Sequence, residues 1–586
     1  MNMIRSFLKK QAGSLISDAL TRTFEVQPET LNSVASLVVY PPETKLGHIA
    51  FPCHSLSKQL RKAPQQIATT ISEAIQAQGK SPWFARIETA AGYLNFFVDF
   101  ENLHRHLMER SAQGSLLEKQ PEGAKKVIVE YSQLNTHKAY HVGHLRNIVF
   151  GDCIANLVDA SGKQVVRATY PGDLGTHIAK VLWYIRQFKM NEIPNEKQAE
   201  WLGDMYGESD EYLKSLAGTP REKEVKVEMG KALRDLENKT GPYYELYKPT
   251  KEWSLNQMKQ ILNWLGIHFD VWYFESECDA PARELVLKKF DEGFFVKSEG
   301  AIGLDLSAYD LGFAMFLKSD GTTLYLTKDI ELLTQKFSDP NVELSIVVVD
   351  TRQTLHFRQL FKTAELMGLR PASDSLHLSY ETVTDEKGEP CSSRGRTGFR
   401  LEQLSRIVSD KIIEKYLEPN RGQWTDAEIE ETARKVALGA LKYGFLKVDS
   451  NRVIKFVLDE WIQLEGDTGP YLQYVHARCC GVLNKVPRDS GPAPFELATE
   501  FDQELVLMLE RFNDSVANAA KDFRPSILCS YLFDLCKVFN RFYKECPIKT
   551  AETAGQKNTR LTLVDLTART LREGLAILGI PAPERL

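Results

Sequence analysis

Three histidines, His137, His141 and His144, fall close together, with Gly143 between the last two and Asn135 and Lys138 just upstream. They lie where a polar connection, 132–140, runs into a helical pattern that begins at Gly143. A helix start offers unpaired backbone N–H groups and the positive end of the helix dipole, and both attract anions. Imidazoles there can donate to phosphate oxygens, and a glycine lets a flat base approach the backbone closely. The chemistry indicated is nucleotide phosphate binding through His141, Gly143 and His144. Two alternatives stand beside it. Spacings of four and three would let the three histidines share a metal, although no cysteine or HExxH carboxylate accompanies them. The rings are also compatible with purely structural roles.

The elements that must position these residues read as alternating strands and helices. A continuous apolar run at 127–129 predicts a buried strand, 143–160 a helix, Gly162 its C-terminal cap and 165–170 the next strand. That is a βαβ unit, which implies parallel strands. A charged, helix-rich stretch, about 186–297, reads as an insertion, after which strands resume at 323–327 and 345–349. Ligands of open parallel sheets bind beyond the carboxyl ends of the strands, so the residues after Val129, Val349 and the strand at Leu324 are the ones to inspect. Upstream, 1–118 reads as an α+β unit with helices at 14–23 and 55–78 and a strand at 92–99. Residues 121–124 form a linker, and from Trp424 onward nearly every segment has helical periodicity.

Length and composition bound what these elements build. At 586 residues and 66.5 kDa the chain holds about four domains of roughly 150 residues each, which excludes a single small binding module. With 43% hydrophobic and 26% charged residues it is an ordinary globular sequence. No apolar run approaches the roughly 18 residues a membrane span needs. Nine cysteines without a CxxC pair suggest a reducing compartment. Arg5, Lys9, Lys10 and Arg22 imitate a transit peptide, but Asp18, Glu25 and the passage into ordinary domain sequence argue against one. A net charge of -5 means that any polyanionic partner must be met by local basic surfaces.

The segment 129–146, Val-Glu-Tyr-Ser-Gln-Leu-Asn-Thr-His-Lys-Ala-Tyr-His-Val-Gly-His-Leu-Arg, resembles the HIGH signature of the class I aminoacyl-tRNA synthetases in its arginyl form. Three other stretches are similar to motifs of the same family: 170–176 (Tyr-Pro-Gly-Asp-Leu-Gly-Thr), 325–329 (Tyr-Leu-Thr-Lys-Asp) and 349–357 (Val-Asp-Thr-Arg-Gln-Thr-Leu-His-Phe). The resemblance extends to 465–478 and to the C-terminal 571–586, and so covers nearly the whole chain. It is weakest over the insertion and at 387–398, where both lysines of the second family signature are missing and Arg394 and Arg396 remain between Ser392, Ser393 and glycines. Gln133-Leu134, Leu174 and Lys328 also depart from the family pattern.

The resemblance implies a Rossmann-like parallel-sheet catalytic domain of α/β class, with an α+β N-terminal domain and an all-α anticodon-binding domain. The expected boundaries are 1–118, 119–380 with the insertion, 381–463 for the second loop and a helical connection, and 464–586. It implies a cytoplasmic arginine–tRNA ligase acting as a monomer on L-arginine, tRNA(Arg) and ATP, the last as its Mg2+ complex, with no structural metal. By resemblance His141, His144, Lys138, Arg394 and Arg396 do the catalytic work, and Gly143, Ser392 and Ser393 join in holding ATP. Glu130, Tyr325, Asp329 and Gln353 would face the arginine side chain, and Ser132 and Asn135 its backbone end. A guanidinium with five donors calls for carboxylates, and polar discrimination of that kind reaches roughly 10⁴ to 10⁵, so no editing domain is expected. Tyr93 and Asn95 would touch tRNA. Between Lys521 and Arg572 ten Lys or Arg stand against five Asp or Glu, with Phe539, Phe542 and Tyr543 interleaved, a composition suited to single-stranded RNA. The alternatives are a non-catalytic tRNA-binding paralogue and another HIGH-type nucleotidyltransferase.

Overall fold

A computed structural model of the chain describes residues 6–118, 125–391, 400–489 and 494–586. They form two compact units, one built from 121–463 and one from 1–120 together with 464–586. Among the described residues no helix is long and apolar enough to cross a membrane.

The unit 121–463 is organised by a five-stranded sheet in which Lys126–Glu130 lies centrally, between Val342–Asp350 and Gln164–Thr169. Ser375–Tyr380 and Val271–Trp272 form its edges, and every pairing is parallel. Such strands are covered on both faces, which is why 127–129 is continuously apolar. The first crossover is the helix Val142–Ala160, which is buried on nearly all sides. It packs so closely that a Cβ on Gly151 would lie 2.3 Å from the Tyr131 side chain.

Two expectations about this unit need correction. Residues 323–327 are not a strand: Thr323 makes one bridge to Leu317, and Tyr325–Lys336 is a helix. The run Thr-Leu-Tyr-Leu-Thr has strand-like composition, but buried Leu326, Ile330 and Leu333 recur at helical spacing. The Leu324 N–H also donates to the Thr327 hydroxyl, 3.1 Å away, which caps the helix start. The second correction concerns the insertion. Its α-helices run from Gln198–Ser215 to Glu275–Asp291, but Val271–Trp272 returns within it to pair with Ala168 and Thr169 of the main sheet. A separate antiparallel sheet, Val296–Ser298, Ala301–Asp305 and Phe313–Leu317, follows. A strand of two residues is too short to show periodicity.

The unit of 1–120 and 464–586 joins a three-stranded antiparallel sheet, with Tyr93–Val98 in its centre, to a bundle of helices. The expected helix over 55–78 is two helices, His54–Leu60 and Pro64–Ala77, broken where Arg61 turns left-handed (φ 50°) and Pro64 starts the second. The N-terminal helix Phe7–Thr23 is docked by carboxylates of the bundle. Asp514 Oδ1 accepts from the Ser6 N–H at 2.6 Å, Glu510 Oε1 accepts from the Leu8 N–H at 2.9 Å, and Lys9 Nζ lies 2.6 Å from Asp514. Acids at a helix start satisfy its free N–H groups and its dipole.

Burial pushes the Glu510 carboxyl up to about 7, with Asp514 adding to the rise. A raised acid binds a proton more readily folded than unfolded, so its contribution to stability is present at acid pH and is lost as pH rises toward about 7. Glu510→Gln keeps the acceptor for Leu8 and removes the titration. Its thermal midpoint is expected to fall less than that of the unaltered chain between acid and neutral pH, as scanning calorimetry across that range would show.

Candidate active site

The connection 131–140 turns sharply to bring its residues to the carboxyl edge of the sheet. Ser132 and His137 both adopt left-handed backbone, φ 63° and 61°. Asn147 Oδ1 accepts from the Ser132 N–H at 2.5 Å, and the Thr169 hydroxyl donates to the Ser132 carbonyl at 2.8 Å. The Ser132 hydroxyl itself is buried without a hydrogen-bond partner and does not line the cavity described below. Asn135 bridges to Gly172, where a Cβ would run into the Asn135 Oδ1 and make that amide shift.

His137 separates from the other two histidines. It is fully buried, its Nδ1 lies 3.0 Å from the Thr136 hydroxyl and its Nε2 2.8 Å from the Thr250 hydroxyl, and burial lowers it to about 3. Its ring is a core group. Among the described residues no cluster of three His, Cys, Asp or Glu is placed to hold a metal.

His141 and His144 form the other group, with rings 3.9 Å apart between centroids. His141 is the N-cap of the helix Val142–Ala160. Its Nδ1 accepts from the Gly143 N–H at 3.1 Å, while His144 Nδ1 accepts from the His141 N–H at 3.0 Å. Each Nδ1 being an acceptor, each Nε2 carries the proton. Burial holds His141 down at about 4 and His144 well below the usual range, with His141 and then Lys138 adding to the effect on His144. The result is two neutral imidazoles, both donors through Nε2, at a helix N-terminus. Lys138 itself lies 5.1 Å from the Tyr206 ring centroid.

The flanks of the second signature meet the same helix start. Ser392, Ser393, Arg394 and Arg396 lie outside the described residues, but both flanks are described. A Cβ on Gly143 would lie 3.1 Å from the Cys391 carbonyl oxygen, and Arg400 pairs through its backbone with His141. Arg146, one turn into the signature helix, fastens the surroundings. Its buried guanidinium donates to the carbonyls of Glu381, Thr382, Asp449, Ser450 and Arg452 at 2.5 to 3.3 Å.

A cavity of about 480 Å³ opens beyond the strand ends and is lined by Glu130, Asn135, Tyr325, Asp329 and Gln353. These five expected arginine-site residues are thus brought together, and Ser132 is not. Glu130 differs from expectation in its state. Lys336 Nζ is paired with its Oε2, and Gln133 Nε2 donates to its Oε1 at 2.9 Å, so both oxygens are engaged within the protein. Lys336 stands seven residues after Asp329, on the same helix face. Three other groups in the cavity had no expected role. Glu275 pairs with Lys328 at 3.1 Å, His356 Nε2 lies 2.6 Å from Asp329 Oδ2, and the Tyr170 hydroxyl has no partner beyond the Cys278 thiol. Burial pushes Glu275 up to about 7 against the pull of Lys328. Among the described residues, Asp329 Oδ1 and Glu275 Oε1 carry no hydrogen bond.

In the other unit the residues expected to meet RNA differ in exposure. Asn95 is buried, because the strand Tyr93–Val98 is central and covered along its length, and Tyr93 is half-buried at the strand start, edge-on to His54. Phe539 and Phe542 are core residues, while Tyr543 is exposed. Tyr543 shares a concavity of about 870 Å³ with Tyr474, Arg478, Lys485, Lys544 and Lys549.

A parallel sheet whose first crossover helix opens on paired imidazoles, with Cys391 and Arg400 against the same helix start, defines the class I aminoacyl-tRNA synthetase type of catalytic domain. Family models agree. Residues 106–461 match the class I (R) tRNA synthetase catalytic domain, 472–586 the DALR anticodon binding domain and 10–98 the arginyl tRNA synthetase N-terminal domain. The chain is 40% identical to an arginine–tRNA ligase of Bdellovibrio bacteriovorus, over 98% of both chains. It is 30% identical to that of Clostridioides difficile, over 96% of this chain and 98% of the relative. The solved Thermus thermophilus arginyl-tRNA synthetase superposes with a TM-score of 0.82 at 28% identity, over 99% of this chain and 100% of that one. The chain belongs to the arginyl-tRNA synthetase family.

Gly143 gives a direct check on the imidazole pair. Alanine is ordinarily preferred over glycine inside a helix by about 1 kcal/mol. Here the added Cβ would lie 3.0 Å from two atoms of the His141 ring and must displace it. Gly143→Ala is expected to leave helical content by circular dichroism unchanged while lowering ATP–pyrophosphate exchange at least tenfold.

Proposed function

We propose that the chain is an arginine–tRNA ligase that joins L-arginine to the 3′ end of tRNA(Arg) through an arginyl adenylate. The observation that carries this reading is the cavity with two uncommitted carboxylate oxygens, on Asp329 and Glu275, whose wall includes Asn135 of the loop that leads to the imidazole-capped helix start. Arginine brings two cationic ends, a guanidinium and an α-ammonium, with an apolar stem between them. Asp329 takes the guanidinium, with Tyr325 and Gln353 at the exposed mouth, and Glu275 takes the α-ammonium near Asn135. Glu130, neutralised by Lys336, shapes the floor.

ATP enters as its Mg2+ complex. The arginine carboxylate attacks the α-phosphate, pyrophosphate leaves, and the terminal adenosine hydroxyl of the tRNA then displaces AMP. The Nε2–H groups of His141 and His144 and the charge of Lys138 are assigned to the phosphate oxygens, where fixed donors stabilise the negative charge that builds at phosphorus. Gly143 admits the nucleotide to the helix start. Ser392, Ser393, Arg394 and Arg396 are assigned to the triphosphate by resemblance. The basic concavity around Arg478 and Tyr543 is assigned to unstacked tRNA bases, and Tyr93 to a tRNA contact.

Arginine-dependent exchange of pyrophosphate into ATP, measured with and without tRNA, tests the reading. Exchange that requires arginine supports it. Tight tRNA binding without exchange under either condition would make the chain a non-catalytic relative, and exchange supported by another small acid would make it a different nucleotidyltransferase. His144→Ala is expected to lower turnover about 10² to 10³-fold.

Glu275 adds a pH signature. With its carboxyl raised to about 7, the empty site is partly protonated near neutrality, and a cation binds only the ionised form. The KM for arginine is therefore expected to fall as pH rises through about 7 and to be higher and flat in Glu275→Gln, as steady-state kinetics across that range would show.

A further inference from the structure

The carboxylates of the cavity differ in how they are held. The Glu130–Lys336 pair is closed off, with side chains 4% and 2% exposed, whereas Asp329 and His356 are 17% and 22% exposed. Asp329 belongs to the helix Tyr325–Lys336 and His356 to the first turn of Thr354–Leu366, so their contact ties two helices across the cavity wall. An ionised carboxylate only accepts, so His356 Nε2 carries the proton in the 2.6 Å contact with Oδ2. The terminal torsion of an aspartate is broad and has no strong preferred angle of its own. With Oδ2 held, that rotation is stopped and Oδ1 has a fixed direction.

We propose that His356 is a positioning and specificity residue for the amino-acid substrate: its Nε2–H holds Oδ2 of Asp329 so that Oδ1 meets the guanidinium of arginine in a fixed orientation. This rests on the reading of the cavity as the arginine site. Planar guanidinium N–H groups reward a fixed acceptor direction, whereas an ammonium, a compact point charge, does not. In this reading His356 acts through Asp329. Its effect is confined to the binding of the arginine side chain.

The test is steady-state aminoacylation by the full chain with arginine and ATP varied separately. His356→Ala is expected to raise the KM for arginine about tenfold, the size associated with losing a donor to a charged acceptor, and to leave the KM for ATP within about twofold. His356→Gln carries an amide donor at a reach similar to the imidazole Nε2 and is expected to restore the arginine KM to within about threefold of the unaltered value. An unchanged arginine KM in the alanine variant, parallel rises for both substrates, or a glutamine variant no better than alanine would each overturn the proposal. The parent assignment is checked by Asp329→Asn. If that variant leaves the arginine KM unmoved, the cavity is not the arginine site and the proposal falls with it. If it raises the KM while His356→Ala does not, the cavity reading stands and only the role of His356 fails.

Discussion

A carboxylate taken out of water stays ionised only when a cation or a donor stands against it, and this cavity lines itself with three. Each has a resident partner: Lys336 for Glu130, Lys328 for Glu275 and His356 for Asp329. The partners decide what the cavity can recognise. Because Lys336 and Gln133 occupy both oxygens of Glu130, that group acts as a fixed, neutralised part of the floor. Asp329 and Glu275 each keep one oxygen unengaged among the described residues. Two open acceptors with apolar wall from Leu332, Val349 and Phe357 suit a ligand with two cationic ends and an aliphatic stem. A ligand lacking either end leaves an acceptor desolvated and unpaired, and that asymmetry makes polar pockets selective.

The helix start works by the same logic with neutral groups. Its free N–H groups need acceptors, and the two imidazoles supply them: His141 Nδ1 to the Gly143 N–H, His144 Nδ1 to the His141 N–H. Those bonds fix where the ring protons are. A structural role does not compete with a donor role for these histidines, because capping the helix through Nδ1 leaves Nε2–H available as a donor. His137 shows the contrast. Both its nitrogens meet hydroxyls of the core, and no donor is left over.

Much of this site was legible in the sequence because its parts are local. The strand, loop and helix of 126–160 follow from hydrophobic periodicity and a helix start, and Tyr325, Asp329 and Gln353 stand in short motifs. What was not legible came from elsewhere in the chain or from burial. Glu275 follows Val271–Trp272, the edge strand of the sheet, and so sits at a strand's carboxyl end, where ligands are expected. A two-residue strand gives no periodic signal, and 323–327 took its place because its composition favours strand. The aromatic run 272–274 followed by an acid was the available clue. Asn95, Phe539 and Phe542 were misplaced for a related reason. Alternation does not say whether the second face of a strand is covered, as it is at Tyr93–Val98, and composition does not say which residues of the amphipathic helix Pro525–Glu545 lie on its buried face, as Phe539 and Phe542 do.

Both flanks of the second signature are held against the helix that follows His141. Arg146 binds five carbonyl oxygens on the segments that precede and follow it, so the signature helix and these segments share one rigid frame. Cys391 and Arg400, on either side of the loop, both meet the helix start at Gly143 and His141. The chain therefore leaves and re-enters at the phosphate-type site whatever side chains it carries between. What the chemistry needs from the loop is positive charge near a triphosphate, and a guanidinium supplies this as an ammonium does, with a planar fork in addition. Lys138 adds a cation close enough to depress His144. In sequence terms the signature thus exchanges lysine for arginine and conserves positive charge.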